Sequence, residues 1–97
     1  MTLDGDRGGE TFDHDRDYAR LNAQHRRVYE AMKEPRWMTL SEVSEITEDP
    51  EASISARLRD FRKDKFGHHY VGRNYVGDGL WEYLLIWNPS VPVPEEE

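Results

Sequence analysis

The sequence predicts an α+β fold in which three helices precede a C-terminal β-hairpin, and two features of its pattern carry that reading. Between Leu21 and Phe61, apolar residues recur at helical spacing in three segments, each bounded by capping or breaking residues. After Gly67 the period changes to alternation. Residues 69–76 and 80–87 are rich in Tyr, Val, Trp and Ile, and Gly77-Asp78-Gly79 separates them, as in a hairpin closed by a short Gly-rich loop.

Each element follows from its residues. Leu21, His25, Val28 and Met32 fall on one side of a helix running from about Leu21 to Glu34, which Pro35 closes. His25, on that apolar stripe, is expected to be partly buried and hydrogen-bonded. Arg36-Trp37-Met38 suits one short extended stretch. Thr39 and Glu42 have the spacing of a capping box, and Leu40, Val43 and Ile46 supply the apolar stripe of a short second helix. Asp49 is expected to cap a third helix, with Pro50 in its first position and Glu51 favouring the positive end of the dipole. That helix runs to about Lys65, buries Ile54, Leu58 and Phe61, and stops at Gly67. On the last strand Trp81, Tyr83, Leu85 and Trp87 share a face. If they turn inward, Leu84 and Ile86 form an outward apolar strip, read either as covered by the chain itself or as a homodimer or partner surface.

Ninety-seven residues suit one domain. Residues 1–18 read as a disordered acidic arm, 19–88 as the folded domain and 89–97 as an extended Pro-rich acidic tail. The net charge of −7 is uneven: the arm contributes −4 and the final three glutamates −3, whereas residues 52–76 carry a net +4. Distribution, not total, decides whether a surface meets phosphate. The chain has no cysteine, which excludes disulfides and thiolate-bound zinc. Its longest apolar run, Tyr83 to Trp87, is far short of the ~20 residues of a membrane span, so no membrane partner is expected. The start, MTLDGDRGGE, has no secretory pattern, and a cytoplasmic location is expected.

No nucleophile and base are suggestively spaced, so neither an enzyme nor a cofactor is expected. Asp13-His14-Asp15-Arg16-Asp17 reads as a solvated arm without the apolar surroundings that hold a metal site rigid. His68 and His69 point to opposite faces of a strand and do not share an ion; they are expected where the hairpin begins. The chemistry-bearing segment is the third helix. With Ile54, Leu58 and Phe61 inward, Ser55, Arg59 and Lys63 lie outward with Ser53 beside them, while Arg57 and Arg62 flank the buried stripe. Small residues in the first two turns and cations beyond them suit a helix lying in the DNA major groove.

Residues His25-Arg26-Arg27-Val28-Tyr29, Trp37 to Val43, Pro50 to Arg62, Phe66-Gly67 and Gly79 to Tyr83 carry a resemblance to winged helix-turn-helix proteins of bacteria and their phages, those of actinobacterial phages in particular. It covers about two-thirds of the chain. The resemblance implies a recognition helix at 50–65 and a hairpin wing whose Arg73 and Asn74 touch the minor groove or its phosphates. Wings of that family often have a basic tip, whereas this one is Gly77-Asp78-Gly79. The expected function is double-stranded DNA binding, as a phage or bacterial transcriptional regulator acting in the cytoplasm of the (host) cell. The contact residues would be Ser53, Ser55, Arg57, Arg59, Arg62, Lys63, Arg73 and Asn74. The alternative is a winged-helix module that acts on a host or partner protein through Leu84 and Ile86.

Overall fold

The computed structural model describes residues 18–94. It is α+β, with three helices and a three-stranded antiparallel sheet. The order is α1 (Ala23–Met32), β1 (Met38–Thr39), α2 (Leu40–Thr47), α3 (Glu51–Arg62), a 3-10 turn (Asp64–Phe66), β2 (Tyr70–Gly77) and β3 (Leu80–Ile86). The sheet order is β1-β3-β2, so the short strand before α2 adds to the far side of the hairpin. Met38 pairs with Tyr83 and Thr39 with Glu82. No described helix is long and apolar enough to cross a membrane.

α1 begins two residues later than its periodicity suggests, because Asn22 caps it. The Asn22 side chain accepts from the His25 N–H at 2.8 Å, and the His25 ring accepts from the Asn22 N–H at 3.1 Å. A histidine thereby does the work that Glu or Gln usually does in a capping box. In α2 the box is the expected pair, Thr39 and Glu42. The α2 stripe differs from expectation. Val43 is buried and Leu40 partly so, but Ile46 is 54 % exposed and Thr47 is buried in its place. Thr47 tolerates burial because its hydroxyl donates to the Val43 carbonyl and accepts from the Asp49 N–H.

Asp49 is not the N-cap of α3; Pro50 is, with no side-chain cap. The Asp49 carboxylate instead accepts two hydrogen bonds from Arg27, at 2.8 and 2.9 Å, and one from Gln24 at 3.2 Å, while its carbonyl accepts from the Ser44 hydroxyl. A forked guanidinium contact satisfies a buried carboxylate better than the free N–H groups at the helix end. The α2–α3 turn, with Glu48 at φ 64°, is thereby tied to α1. α3 ends at Arg62, short of the expected Lys65, because Lys63 adopts extended backbone before the 3-10 turn that Gly67, at φ 114°, terminates.

The core lies between the helices and one face of the hairpin: Val28, Tyr29, Met32, Met38, Val43, Ile54, Leu58, Phe61 and Leu85. Tyr83 and Trp87 pack on it from the Leu85 face, as expected, but Trp81 lies beyond α3 and is partly exposed. Asp78 and Gly79, both at positive φ, form the two-residue turn, the geometry favoured by the right-handed twist of paired strands. A bulge follows Tyr75. On the opposite sheet face Trp37 and Tyr70 converge over Gly72, where an added Cβ would come within 3.2 Å of both rings. Gly72 pairs with Leu84, so part of the Leu84/Ile86 strip is covered by the chain itself, while Ile86 remains exposed.

Residues 88–92 of the extended Pro-rich segment dock on the folded body. Asn88 bonds the Gly67 carbonyl, the Trp87 indole donates to the Pro92 carbonyl, and Val91 is buried against Gly67. Proline rules out helix and ladder there but leaves an extended segment free to dock. His69 anchors this corner. It is buried, stacked on Trp87 at 3.5 Å, accepts from the Asn88 N–H and donates to the Phe66 carbonyl. It is therefore a structural group at the base of the hairpin. His68, exposed and paired with Asp64, is the one facing solvent.

Burial drives the His69 pKa down to about 4 from its ordinary 6.5. Between these values the unfolded chain takes up a proton that the folded one refuses, so stability climbs with pH across that window and levels off above it. Burial also depresses His25, which adds in the same direction. Urea unfolding at a series of pH values should show this rise, and His69→Gln should flatten it; an unchanged slope in the variant would place the titration elsewhere. A separate acid limb belongs to Asp49, held at about 2 by the Arg27 hydrogen bonds, with stability lost as pH falls from its ordinary 3.8 toward that value. Asp49→Asn should cost about 1.5–3 kcal/mol at neutral pH and shrink that limb, both read from the same titration.

Candidate nucleic-acid interface

The exposed side of α3 faces, across a shallow cleft, the inner face of the hairpin. Ser55, Leu58, Arg59 and Arg62 line one wall; Val71, Arg73 and Tyr83 line the other, and the cleft holds about 150 Å³. Strand register explains the second wall. Val71 pairs with Leu85, Arg73 with Tyr83 and Tyr75 with Trp81, so all six share the sheet face that packs on the core at its near end. Farther out, that face leaves the core and becomes a surface.

The eight residues expected to contact nucleic acid divide. Four meet at the cleft. Ser55 accepts from Arg59 Nη1 at 3.2 Å, and Arg59 and Arg62 are exposed on α3. Arg73 reaches in from β2 with its guanidinium 4.5 Å from the centre of the Trp81 ring. Ser53 sits half-buried in the first turn of α3 on the same helix, outside the cleft lining.

Three are engaged elsewhere. Arg57 is 25 % exposed; it donates to Gln24 at 2.9 Å and pairs with Asp60 at 3.0 Å, which turns it toward α1. Lys63 leaves the helix and pairs with Asp60 at 3.2 Å, so Arg62 and not Lys63 accompanies Arg59 at the cleft. Asn74 pairs with Glu82 on the outer sheet face and donates to its carboxylate at 3.3 Å.

Asp60 organises this division. Its carboxylate accepts from His25 Nε2 at 2.9 Å and is flanked by Arg57 and Lys63. The His25 ring accepts at Nδ1 from the Asn22 N–H, so the proton is at Nε2, where it reaches Asp60. Burial works against the Asp60 charge, but the hydrogen bonds from His25 and Lys63 and the nearby Arg57 outweigh it and hold the carboxyl below its ordinary pKa. Arg59, Arg62 and Arg73, by contrast, pair with no carboxylate of the described residues.

The sequence reading missed the aromatic surface next to these cations. Tyr75 is 54 % and Trp81 36 % exposed, with ring centroids 5.1 Å apart, on the face that also carries Arg73. Plain counting from the two-residue turn sets Val76 opposite Trp81; the bulge after Tyr75 shifts the register and brings Tyr75 there instead. The segments expected as a disordered arm, the Asp13-His14-Asp15-Arg16-Asp17 run within it, and the three terminal glutamates are outside the described residues apart from Tyr18.

Comparison of the chain with protein-family models, with curated proteins and with solved structures gives no match.

The division between engaged and free cations has a direct consequence for stability. Arg57→Ala should destabilise the fold by about 1–2 kcal/mol, through the lost hydrogen bond and the less compensated Asp60. Arg59→Ala should change it by less than about 0.5 kcal/mol. Thermal unfolding followed by circular dichroism compares the two, and equal losses would contradict this assignment.

Proposed function

We propose that this protein binds double-stranded DNA with a winged helix-turn-helix arrangement, in which α2 and α3 form the helix-turn-helix, the β2–β3 hairpin is the wing, and α3 enters the major groove. The observation that carries the reading is the convergence of Arg59, Arg62 and Arg73, from two separate elements, on one cleft with no carboxylate partner among the described residues. Three guanidiniums left without a carboxylate, in a chain of net charge −7, remain available to an anionic partner. The pairing of β1 with β3 and the short capped α2 before a sharp turn also support it. Phosphate contact falls to the three arginines, and Ser53 and Ser55 lie where the first turns of α3 approach base edges. A bacterial or phage transcriptional regulator is the role that suits a domain of this size and surface.

The alternative, a module that docks on a partner protein or on a second copy, is favoured by one observation: Trp37, Tyr70 and Ile86 are exposed on or beside the outer sheet face, remote from the cleft. The two readings separate on heparin and on random duplex at low salt. Retention and a mobility shift support DNA; the absence of both, with self-association or partner binding abolished by Ile86→Glu, supports the alternative.

With about three phosphates neutralised, log affinity against log salt should fall with a slope near −3. Arg59→Ala and Arg62→Ala should each lower the magnitude of that slope by about one. Fluorescence anisotropy on a labelled duplex measures this. Undiminished slopes in both variants would move the contact surface off α3.

A further inference from the structure

We propose that the outer half of the hairpin is a stacking site for unpaired bases, so that the protein prefers DNA in which a single-stranded segment adjoins a duplex. The inference rests on the DNA-binding reading and deepens it. Tyr75 and Trp81 leave 54 % and 36 % of their surfaces in water at 5.1 Å from each other, on the sheet face that carries Arg73. Arg73 lies over the Trp81 ring at 4.5 Å and links the aromatic pair to the cleft lined by Arg59 and Arg62. Exposed aromatic rings beside cations are the components of single-strand recognition, in which bases stack on rings while the backbone follows positive charge.

The hairpin is built to hold these rings still. The Tyr75 hydroxyl accepts from the Gly79 N–H at 2.9 Å, which ties the ring to the turn, and the Arg73 contact restrains Trp81. At the other end of the strands, His69, Trp87 and Asn88 lock the hairpin to Phe66 and Gly67. Rings held in this way lose little further freedom on stacking. The acidic tip fits the same picture. Asp78 repels a phosphate at the very tip but not the face of an uncharged base, so the tip does not oppose a base stacked on the strands behind it.

Anisotropy with the full chain would compare a blunt duplex with the same duplex carrying a short oligothymidine tail. The tail should tighten binding about tenfold, the stacking of one base being worth about 1–3 kcal/mol. Trp81→Ala and Tyr75→Ala should each bring the ratio of tailed to blunt affinity close to one, and Trp81→Phe should keep most of it; circular dichroism verifies that each variant is folded. Wild-type Trp fluorescence should be quenched more by the tailed duplex than by the blunt one. A blunt duplex that binds with no gain from the tail overturns the stacking site and leaves the duplex reading standing. A tail advantage that survives in both alanine variants overturns the assignment to these rings. If neither DNA binds, the DNA reading fails and this inference with it.

Discussion

Two carboxylates, Asp49 before α3 and Asp60 within it, fix how that helix sits, because side chains of α1 grip both. Arg27 and Gln24 hold the first, and His25 holds the second, with Gln24 also reaching Arg57. The apolar contacts of Ile54, Leu58 and Phe61 drive α3 onto the core, but apolar packing is non-directional and tolerates rotation and sliding. Charge-assisted hydrogen bonds at two points along the helix do not. The rotation they select is the one that turns Ser55, Arg59 and Arg62 to the hairpin cleft.

The same contacts sort the basic residues of the segment. Asp60 takes Arg57 and Lys63 as well as the His25 N–H, and Asp49 takes Arg27, so the cations nearest the crossing with α1 are paired with carboxylates of the fold itself. What remains for an anionic partner is a smaller and more ordered set than the charge of the segment suggests. A surface of three arginines from two rigid elements has a defined shape, whereas a run of basic side chains along a helix does not. Shape is what a groove or a strand end can select.

Much of this was legible in the sequence where local chemistry decides. The Thr39–Glu42 box, the Ile54/Leu58/Phe61 stripe and a hairpin closed within Gly77-Asp78-Gly79 each follow from spacing within a few residues, though Gly77 belongs to the strand and not to the turn. The failures are where a distant group outbids a local one. Asp49 before Pro50 is a sound N-cap by sequence, but Arg27, 22 residues away, offers its carboxylate a better partner. Ile46 keeps helical period with Val43, yet α2 is too short for the core to wrap around it, and Thr47 occupies the inward place. Val91 stands among prolines that exclude regular structure without excluding burial. In the site, the Asp60 spacings to Arg57 and Lys63 were a readable sign that those cations are engaged. The partnership of His25 with Asp60, 35 residues on, was not.

The hairpin shows how one constraint can disguise another. A two-residue turn with both φ values positive demands Asp, Asn or Gly, and Asp78-Gly79 meets that demand. The aspartate is explained by backbone geometry, so its negative charge is no evidence that the hairpin avoids nucleic acid. The residues free to vary are those on the strands behind the turn, and there the chain places Arg73, Tyr75 and Trp81 on one face. Water-exposed aromatic rings forgo the burial that stabilises Tyr83 and Leu85 two and four positions along the same strand. Their position forgoes that stabilisation in the isolated fold, and under the proposed stacking an unpaired base would supply it.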